Sequence, residues 1–363
     1  MISFWDAFGE IEDPRAPNAR YPLMEVLFIA LAAMLCGVQT CADMALFARS
    51  KEKFLREILA LEHGTPSHDT FSRVFRMLDA RAFEVAFAVF ARAFSDNLSG
   101  VVAIDGKALK GAFERGQKTT PLHLVNVWAV EARAAIAQCT APGRNEVEGA
   151  LAALRLLDLN GCIVTADALH CRKDTAQAIR EAGADYVLRL KKNHPTLYEE
   201  AEFQLQGQRG KRGKVVEEQH HDRIERRRAS FATVPGLEAR CGYPAACGFA
   251  KIEMTRQLKS APEKIETWTQ YYIVSTIMTP ERLAEVARAH WTIENQLHWV
   301  LDVVFNEDAA RNRADNGPQN LAILRKVAAN ILRAETDKGS LNGKMKRAGW
   351  DDTYLRKLLG YMR

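Results

Sequence analysis

The stretch Val101-Val102-Ala103-Ile104-Asp105-Gly106-Lys107 decides how the chain is interpreted, because an apolar run ends there in an acid and a glycine. Four consecutive apolar residues predict a buried strand, with Asp105 at its end. Asp167 follows Cys162-Ile163-Val164-Thr165-Ala166 in the same way. If the two strands are neighbours, both carboxylates leave the same sheet edge, and a divalent cation would relieve their repulsion. Two unrelated strand-end aspartates, each serving its own turn, are the alternative.

The elements around these acids predict an α/β layer. Strands are expected at 101–105, 122–130, 134–140, 162–167 and 186–190, with helices at 146–157 and 173–181. Three meandering strands followed by helix, strand, helix and strand make a mixed sheet, and this order is what a ribonuclease-H-like fold requires. We predict a catalytic domain over residues 98–335 that carries a β-rich insertion at about 195–267.

An all-helical domain is predicted ahead of this layer, over residues 1–97. Four short helices, the first the apolar Leu23–Cys36 and the second spanning Cys41–Leu61, form a bundle of a size suited to DNA binding. Six side chains could meet phosphates or base edges: Ser67, which is also a plausible N-cap, His68, Thr70, Ser72, Arg73 and Arg76. A helical cap packed on the next domain is the alternative.

The insertion and the C-terminal tail are basic. Residues 207–228 hold eight Lys and Arg against four Asp and Glu, and 207–214 is glycine-rich, which predicts a mobile loop. Arg223, Arg226 and Arg227 are candidates for contact with a DNA backbone, although a solvated charge run is equally typical of such a pattern. His220-His221 lacks partners at metal-ligand spacing, so zinc is not expected there. The tail, 336–363, could be flexible, dock locally or touch DNA.

Composition indicates a cytoplasmic protein. The 363 residues carry a mild net charge of +5, and the seven cysteines form no CxxC pair, so free thiols in a reducing compartment are expected. No signal peptide is visible at Met1. The apolar segment Leu23–Val38 is shorter than the ~20 residues of a membrane span, so it is interpreted as a core helix.

A third acid, Glu294, lies on a helix predicted from about Glu281 to Val304. Spacing of four would place His290, Glu294 and His298 on one face of that helix, which could present Glu294 to the two aspartates. His and Glu at this spacing also permit a zinc site. A surface role for Glu294 is the plainest alternative, and three acids compete for its part: Asp302, Glu307 and Asp308.

Basic and polar residues crowd the predicted sheet edge. Lys107 and Lys110 follow Asp105, His170 follows Asp167, and Lys191 and Asn193 end the strand at 186–190. Lysines beside acids suit a polyanionic substrate.

Taken in order, these stretches resemble insertion-sequence transposases of the DDE superfamily, in the group of H-repeat-associated proteins. The resemblance covers nearly the whole chain and is carried by Asp13-Pro14-Arg15, Pro66-Ser67-His68-Asp69-Thr70-Phe71, Ala103-Ile104-Asp105-Gly106-Lys107, Thr165-Ala166-Asp167-Ala168-Leu169-His170, Arg223-Ile224-Glu225-Arg226-Arg227, His290-Trp291-Thr292-Ile293-Glu294-Asn295 and Asn320-Leu321-Ala322.

The resemblance implies a ribonuclease-H-like catalytic domain in which Asp105, Asp167 and Glu294 bind metal, Mg²⁺ or Mn²⁺, as two ions. His170 and His298 are candidate catalytic side chains beside the triad. Related transposases place Tyr, Arg and Lys around the Glu, but here His290 precedes Glu294 by four and Leu301 follows it by seven. That departure leaves Lys191, Arg288 and His298 as candidates for stabilising the transferred phosphate.

The resemblance therefore implies an enzyme that cleaves DNA and transfers strands at the ends of an insertion sequence. Its partners would be DNA, as terminal inverted repeats and target, and a second copy of the chain in a homodimer on DNA, with no membrane. Two alternatives stay open: a transposase-derived DNA-binding protein without catalytic activity, and a metal-dependent DNA nuclease that cuts without joining.

Overall fold

Six helices form the N-terminal part of the chain in the computed structural model, which describes residues 2–95, 98–113, 121–206 and 210–362. They are α1 (Phe4–Gly9), α2 (Leu23–Leu35), α3 (Cys41–Ser50), α4 (Glu52–Leu55), α5 (His68–Met77) and α6 (Ala80–Ala91). The predicted core helix is α2, in which every residue from Val26 to Leu35 is buried. Its Glu25 carboxylate accepts the backbone N–H of Leu61 at 3.2 Å, which gives a charged group in the apolar run a partner.

The prediction of one helix from Cys41 to Leu61 is wrong, since α3 ends at Ser50 and α4 ends at Leu55. Leu61 has a φ of 46°, outside the helical region, where the chain turns to reach Glu25. This tertiary contact has no signal in the helical periodicity of the segment.

The five central strands follow in the predicted order. They are β1 (Gly100–Phe113), β2 (Pro121–Ala129), β3 (Ala134–Thr140), β4 (Cys162–Ala166) and β5 (Asp185–Leu190), with α7 (Glu146–Leu154) before β4 and α8 (Lys173–Glu181) before β5. β1 is longer than expected, because it continues through Asp105 and Gly106 to Phe113. Asp105 therefore lies inside a strand rather than at its end.

The predicted insertion is rich in strands. It contains α9 (Pro195–Leu205), β6 (Lys211–Arg212), β7 (Val216–Gln219), β8 (Arg223–Thr233), α10 (Leu237–Cys241), β9 (Gly248–Leu258) and most of β10 (Ala261–Val274). Of the loop predicted at 207–214, Gly207, Gln208 and Arg209 lie outside the described residues, while Lys211 and Arg212 form β6.

The C-terminal part is helical. It contains α11 (Pro280–His290), a π-helical segment (Ile293–His298), α12 (Trp299–Val303), α13 (Gly317–Ala334), α14 (Leu341–Trp350) and α15 (Asp352–Leu359). Single 3₁₀ turns occur at Arg92–Phe94, Pro142–Arg144, Glu307–Ala309 and Gly360–Met362. Of the three possibilities for the basic tail, local docking is the one observed, because α14 and α15 pack against α2.

The chain divides into two compact units. The helix-rich unit comprises Met1–Asn97, Gly106–Leu156 and Glu294–Arg363, and the strand-rich unit comprises Leu98–Asp105 and Leu157–Ile293. The domain boundaries expected from sequence, including an N-terminal helical domain of its own, stay a prediction.

The strand-rich unit is built on a mixed sheet. β1, up to Asp105, pairs with β4 and β4 with β5 in parallel, whereas β5, β10, β9 and β8 follow one another in antiparallel pairs. The innermost strand residues, among them Val102, Val164 and Leu188, are fully buried. The mixed α/β class expected from sequence is confirmed.

The helix-rich unit is organised around α13, which packs against α2, α5, α6, α14 and β3. An apolar stripe of this helix is buried, and so are its polar residues Arg325, Lys326 and Asn330. The Asn330 amide donates to the carbonyl oxygen of Ala135 at 2.8 Å and accepts from its N–H at 2.9 Å, so it pairs with β3 much as a neighbouring strand would.

Within the described residues, no helix is both long enough and apolar enough to cross a membrane. All seven cysteines are free thiols.

Candidate active site

Asp105 and Asp167 leave the same end of two neighbouring parallel strands in the strand-rich unit. The pairing of β1 with β4 runs from Gly100 opposite Cys162 to Ile104 opposite Ala166, and each acid is the next residue. Paired strands lie about 4.8 Å apart. Both acids are partly exposed. The condition on which the sequence argument depended, that these strands are neighbours, is therefore met.

Asp167 also shapes the turn that follows β4. Its Oδ1 accepts the backbone N–H of Leu169 at 2.9 Å, and its carbonyl oxygen accepts the N–H of His170 at 3.2 Å. The turn brings the His170 ring into the core, where it is fully buried. Turn formation and a ligand role are compatible, because a carboxylate offers two oxygens with about four lone-pair sites.

His290, at the end of α11, joins this cluster through Thr165. The Thr165 hydroxyl donates to the carbonyl oxygen of Val102 at 3.4 Å and lies 3.2 Å from Nδ1 of His290. Burial, with a smaller contribution from the charge of Arg189, lowers the pKa of His290 to about 4 against the opposing effect of Asp167. His290 is neutral at pH 7, so it can hydrogen-bond to DNA but cannot supply the positive charge expected of a phosphate contact.

Sequence reasoning missed Thr165 and Arg189 as members of this cluster. Arg189 is a charged residue inside the apolar strand β5, two residues before Lys191. A charge at such a position was the sequence signal that could have identified Arg189. Thr165 carried no signal, since a threonine is ordinary in a strand.

Lys191 and Asn193 follow β5 and are both exposed. β4 and β5 are parallel and pair Ala166 with Leu188, so the residues after Leu190 leave the sheet at the same end as Asp167. The structure therefore places these two predicted DNA contacts at the sheet edge that carries the aspartates.

Glu294 is exposed and belongs to the π-helical segment Ile293–His298, in the helix-rich unit. The prediction of one α-helix from Glu281 to Val304 is wrong, because α11 ends at His290 and the hydrogen-bond pattern changes before α12. A common face for His290, Glu294 and His298 assumed that helix, so the zinc alternative loses its basis. Single π-helical turns occur frequently at functional sites. The role of Glu294 as third ligand stays a prediction.

The three acids that competed with Glu294 are engaged elsewhere in the helix-rich unit. The Lys107 ammonium lies 2.6 Å from Asp302, 3.5 Å from Asp308 and 3.9 Å from Glu307. Lys110 pairs with Asp308 at 2.7 Å. Lys107 is itself only 8% exposed, so its predicted contact with DNA phosphate is replaced by a structural role.

His298 occupies a separate environment in the helix-rich unit. Its Nε2 accepts a hydrogen bond from the Asn126 amide at 3.2 Å. Burial, together with the charges of Lys107 and Lys326, lowers the pKa of His298 to about 3. His298 is therefore neutral at pH 7 and is a poor candidate for stabilising the charge of a transferred phosphate.

The arginines predicted to bind DNA are paired with acids in the strand-rich unit. Arg226 contacts Glu217 at 2.7 Å, Arg227 contacts Glu218 at 2.8 Å, and Arg223 contacts Glu225 at 2.7 Å. Arg288 also pairs with Glu218. These side chains remain partly exposed, but most of the local positive charge is compensated.

Glu218, His220 and Glu225 bring three possible ligand atoms within 4.8 Å of one another, a grouping found among the described residues. Glu218 and Glu225 face each other across β7 and β8, which is why sequence spacing gave His220 no partners. The carboxylates are already neutralised by Arg223, Arg227, Arg256 and Arg288. This cluster does not fit a metal site.

Ser67 caps α5 as predicted, since its Oγ accepts the N–H of Thr70 at 3.3 Å. Of the arginines expected to contact DNA from this helix, Arg76 pairs with Asp315 at 2.8 Å, whereas Arg73 is exposed beside a groove that also contains Arg20.

Two family models match the chain. Residues 5–91 match the family described as DDE_Tnp_1-associated, and residues 96–331 match the Transposase DDE domain. The chain belongs to the DDE transposase family. The second model spans both aspartates and Glu294.

Relatives of nearly full length support the assignment. The chain is 30% identical over 376 residues to "Putative transposase YncI" of Escherichia coli O157:H7, covering 98% of this chain and 94% of that protein. It is 30% identical to "H repeat-associated putative transposase YhhI" of Escherichia coli K12, covering 94% and 93%. A piggyBac transposase synaptic complex with hairpin DNA aligns over 99% of this chain and 78% of that one, at 12% identity and a TM-score of 0.42, too low to assign a shared fold.

Proposed function

We propose that this DDE family member is a DNA transposase that cleaves phosphodiester bonds at the ends of an insertion sequence and joins the freed 3′ ends to target DNA. The observation that carries the proposal is the parallel register of β1 and β4, which ends immediately before Asp105 and Asp167. We also propose that β1 to β5 form a ribonuclease-H-like sheet, since β1 neighbours β4 in parallel and β2 pairs with β3 in antiparallel.

The donor set fits Mg²⁺, with Mn²⁺ as a substitute. Asp105 and Asp167 offer only oxygen ligands from adjacent strands, and Glu294 would add a third carboxylate. Hard oxygen donors favour these ions over zinc. A pair of such ions, when bound, supplies activation of the attacking hydroxyl and stabilisation of the leaving oxygen.

The protein's own side chains supply the positive charge that would hold the DNA phosphate. Arg189 and Lys191, on and after β5, bring positive charge to the edge that holds Asp167. Their role would be to hold the scissile phosphate against the carboxylates, which would otherwise repel it. The neutral His290 lies near Asp167, and the buried His170 follows the turn that Asp167 begins.

The partners that follow from this function are DNA, as terminal repeats and target, and a second copy of the chain in a homodimer on DNA. The place of action would be the nucleoid of the bacterial cytoplasm.

The decisive experiment measures Mg²⁺-dependent nicking and strand transfer on DNA that carries the ends of the element. Asp105→Asn, Asp167→Asn and Glu294→Gln should each abolish both reactions, because the amide removes a ligand charge while keeping the shape. DNA binding in EDTA should be unchanged. Asp158→Asn is the matched control: this exposed acid accepts the N–H of Asn160 at 3.2 Å, and an amide oxygen can do the same.

The outcomes separate the alternatives. Nicking without joining identifies a nuclease, and DNA binding without metal-dependent nicking identifies a transposase-derived binding protein. Normal cleavage by Glu294→Gln would remove Glu294 from the triad.

A further inference from the structure

Four arginines and two glutamates meet on one face of the sheet in the strand-rich unit. We call the cations the arginine array, and its members are Arg223, Arg227, Arg256 and Arg288. Glu225, on β8, lies directly opposite Glu218 on β7 and Arg256 on β9. Alternate residues of a strand share a face, so Arg223 and Arg227 lie on the same face as Glu225. Arg288 reaches this face from α11, where it pairs with Glu218.

Glu225 is the centre of the array. Its Oε1 accepts a hydrogen bond from Nε of Arg223 at 2.7 Å and lies 3.5 Å from Nε of Arg256, while its Oε2 accepts from Arg227. Burial raises the pKa of Glu225, but the three arginines outweigh burial and hold the pKa below its ordinary value. The carboxylate is therefore ionised at pH 7 and fixes three guanidinium groups in position.

Further contacts restrict the arginines. Glu218 accepts a hydrogen bond from Nη1 of Arg227 at 2.8 Å. The guanidinium of Arg256 also lies over the Trp268 ring, 5.2 Å from its centroid. Side chains that are already held lose little conformational entropy when they bind a ligand. The planar fork of an ordered guanidinium matches a phosphate group.

The carboxylates lie deeper than the cations. The Glu225 side chain is 8% exposed and that of Glu218 is 22% exposed, whereas the side chains of the array are 25–56% exposed. Asp222 and Glu266 also contact the array, at 3.3 and 3.9 Å, but their side chains are 60% and 70% exposed. Exposed ion pairs of this kind are weak, so a phosphate can replace these two acids. The array therefore presents positive charge to the solvent.

The array lies beyond the sheet edge that holds the two aspartates. β10 runs antiparallel to β5 and pairs Tyr271 with Leu190, the last residue of β5, so the residues before Tyr271 continue the sheet past that edge. Arg256 pairs with Glu266, five residues before Tyr271. At about 3.4 Å per residue and about 4.8 Å between strands, Glu225 lies roughly 20 Å from the end of β5. This distance corresponds to about six base pairs of DNA.

We propose that Glu225 and Glu218 hold the arginine array as a binding site for one phosphate of the DNA backbone, about six base pairs from the phosphate at the aspartates. Three of the four arginines were predicted from sequence as separate DNA contacts, and Arg256 joins them here. The two glutamates act through the arginines as positioning residues. The proposal rests on the proposed function in taking DNA as the substrate.

Glu225→Gln provides the test, because positioning and simple neutralisation predict opposite results. Removing a negative charge beside DNA would by electrostatics alone strengthen binding. If the carboxylate positions the arginines, the affinity of the full-length protein for duplex DNA in EDTA should instead fall about tenfold, the loss expected for one hydrogen bond to a charged group. The slope of the logarithm of the binding constant against the logarithm of salt concentration should become shallower by about one.

Glu217→Gln is the matched control. This acid lies next to Glu218 on β7, so it points to the opposite face, where it pairs with Arg226 at 2.7 Å. Its variant should bind DNA as tightly as the wild type or more tightly.

Arg256→Lys tests the geometry of the array at constant charge. An ammonium lacks the planar fork of a guanidinium, so this variant should bind DNA nearly as weakly as Arg256→Ala does. Circular dichroism establishes that each variant is folded. If Glu225→Gln does not fold, Arg256→Lys decides, because it alters a side chain that is 40% exposed.

The position of the phosphate is tested on DNA that carries the end of the element, with one uncharged methylphosphonate linkage placed at each position in turn. The wild type should bind more weakly when the linkage lies about six base pairs from the cleaved phosphodiester. Arg256→Ala should be insensitive to that linkage, since the contact that it removes is already lost.

Tighter or unchanged binding by Glu225→Gln overturns the inference, as does wild-type affinity in Arg256→Lys. Failure of the wild type to bind DNA overturns both this inference and the proposed function. Metal-dependent nicking by a protein in which no linkage depends on Arg256 overturns this inference alone. A linkage that depends on Arg256 in a protein that does not nick DNA leaves the inference standing and removes the catalytic function.

Discussion

The ion pairs of Lys107 with Asp302, Glu307 and Asp308 provide a direct test of how much a buried charge stabilises the helix-rich unit. Lys107→Met keeps the length and most of the apolar volume of the side chain but removes its charge. Losing one partner of a buried ion pair costs about 3–5 kcal/mol. Two of these acids are partly exposed and Glu307 keeps Arg325 at 3.8 Å, so we expect the lower end of this range.

The measurement is denaturant unfolding of the full-length protein at pH 7, with Lys110→Met as the matched control. Lys110 pairs with the same Asp308 at 2.7 Å, but its side chain is 78% exposed. A surface pair contributes about 0–1 kcal/mol, so the control should unfold almost as the wild type does. Equal effects of the two substitutions would refute the argument from burial. Weaker DNA binding by Lys107→Met at unchanged stability would instead restore Lys107 as a phosphate contact.

Two further predictions concern pH and close packing. Because burial holds the pKa of His298 at about 3, below its ordinary 6.5, the unfolded chain takes up the proton first, and the free energy of unfolding should fall as pH drops from 6.5 towards 3. His298 contributes about 1.4 kcal/mol per pH unit to the free energy of unfolding in this range. Urea titrations at several pH values should therefore show a weaker pH dependence of this free energy for His298→Asn than for the wild type. The same pH dependence in both proteins would contradict the lowered pKa of His298. A Cβ at Gly248 would lie 2.4 Å from the carbonyl oxygen of Ala232 on the paired strand, so Gly248→Ala should lower the thermal unfolding temperature. The cost is about 1–3 kcal/mol, and Gly360→Ala, where nothing lies within 4 Å, should be neutral.

The strands of the candidate site could be predicted because their signals are local. The apolar run before Asp105 and the one before Asp167 each contain enough apolar residues to identify a strand. The pairing of β1 with β4 was only a condition of the sequence argument, and the structure meets it. The end of β1 could not be predicted, since the strand continues past Gly106.

The helix that carries Glu294 shows a different limit of prediction from sequence. Its apolar spacing fitted one α-helix, yet the chain adopts a π-helical turn at Ile293–His298. A change from one hydrogen-bond pattern to another alters which residues share a face, and composition does not report it.

The ion-pair partners of charged residues are hardest to predict from sequence. Lys107 and the arginines of β8 were predicted as DNA contacts because the sequence shows their charge but not their partners. The partners come from distant positions, Asp302 for Lys107 and the facing strand β7 for Arg226 and Arg227.

The sequence by itself therefore determined the mixed α/β class, the two apolar strand segments that precede Asp105 and Asp167, and the family, because these depend on short apolar runs and ordered motifs. Only the tertiary structure decided which charges are free to meet a substrate. Ion pairing and burial depend on distances between residues far apart in the chain, and these distances exist only once the chain has folded. Arg189 joined the candidate site, and Lys107 left it, for this reason.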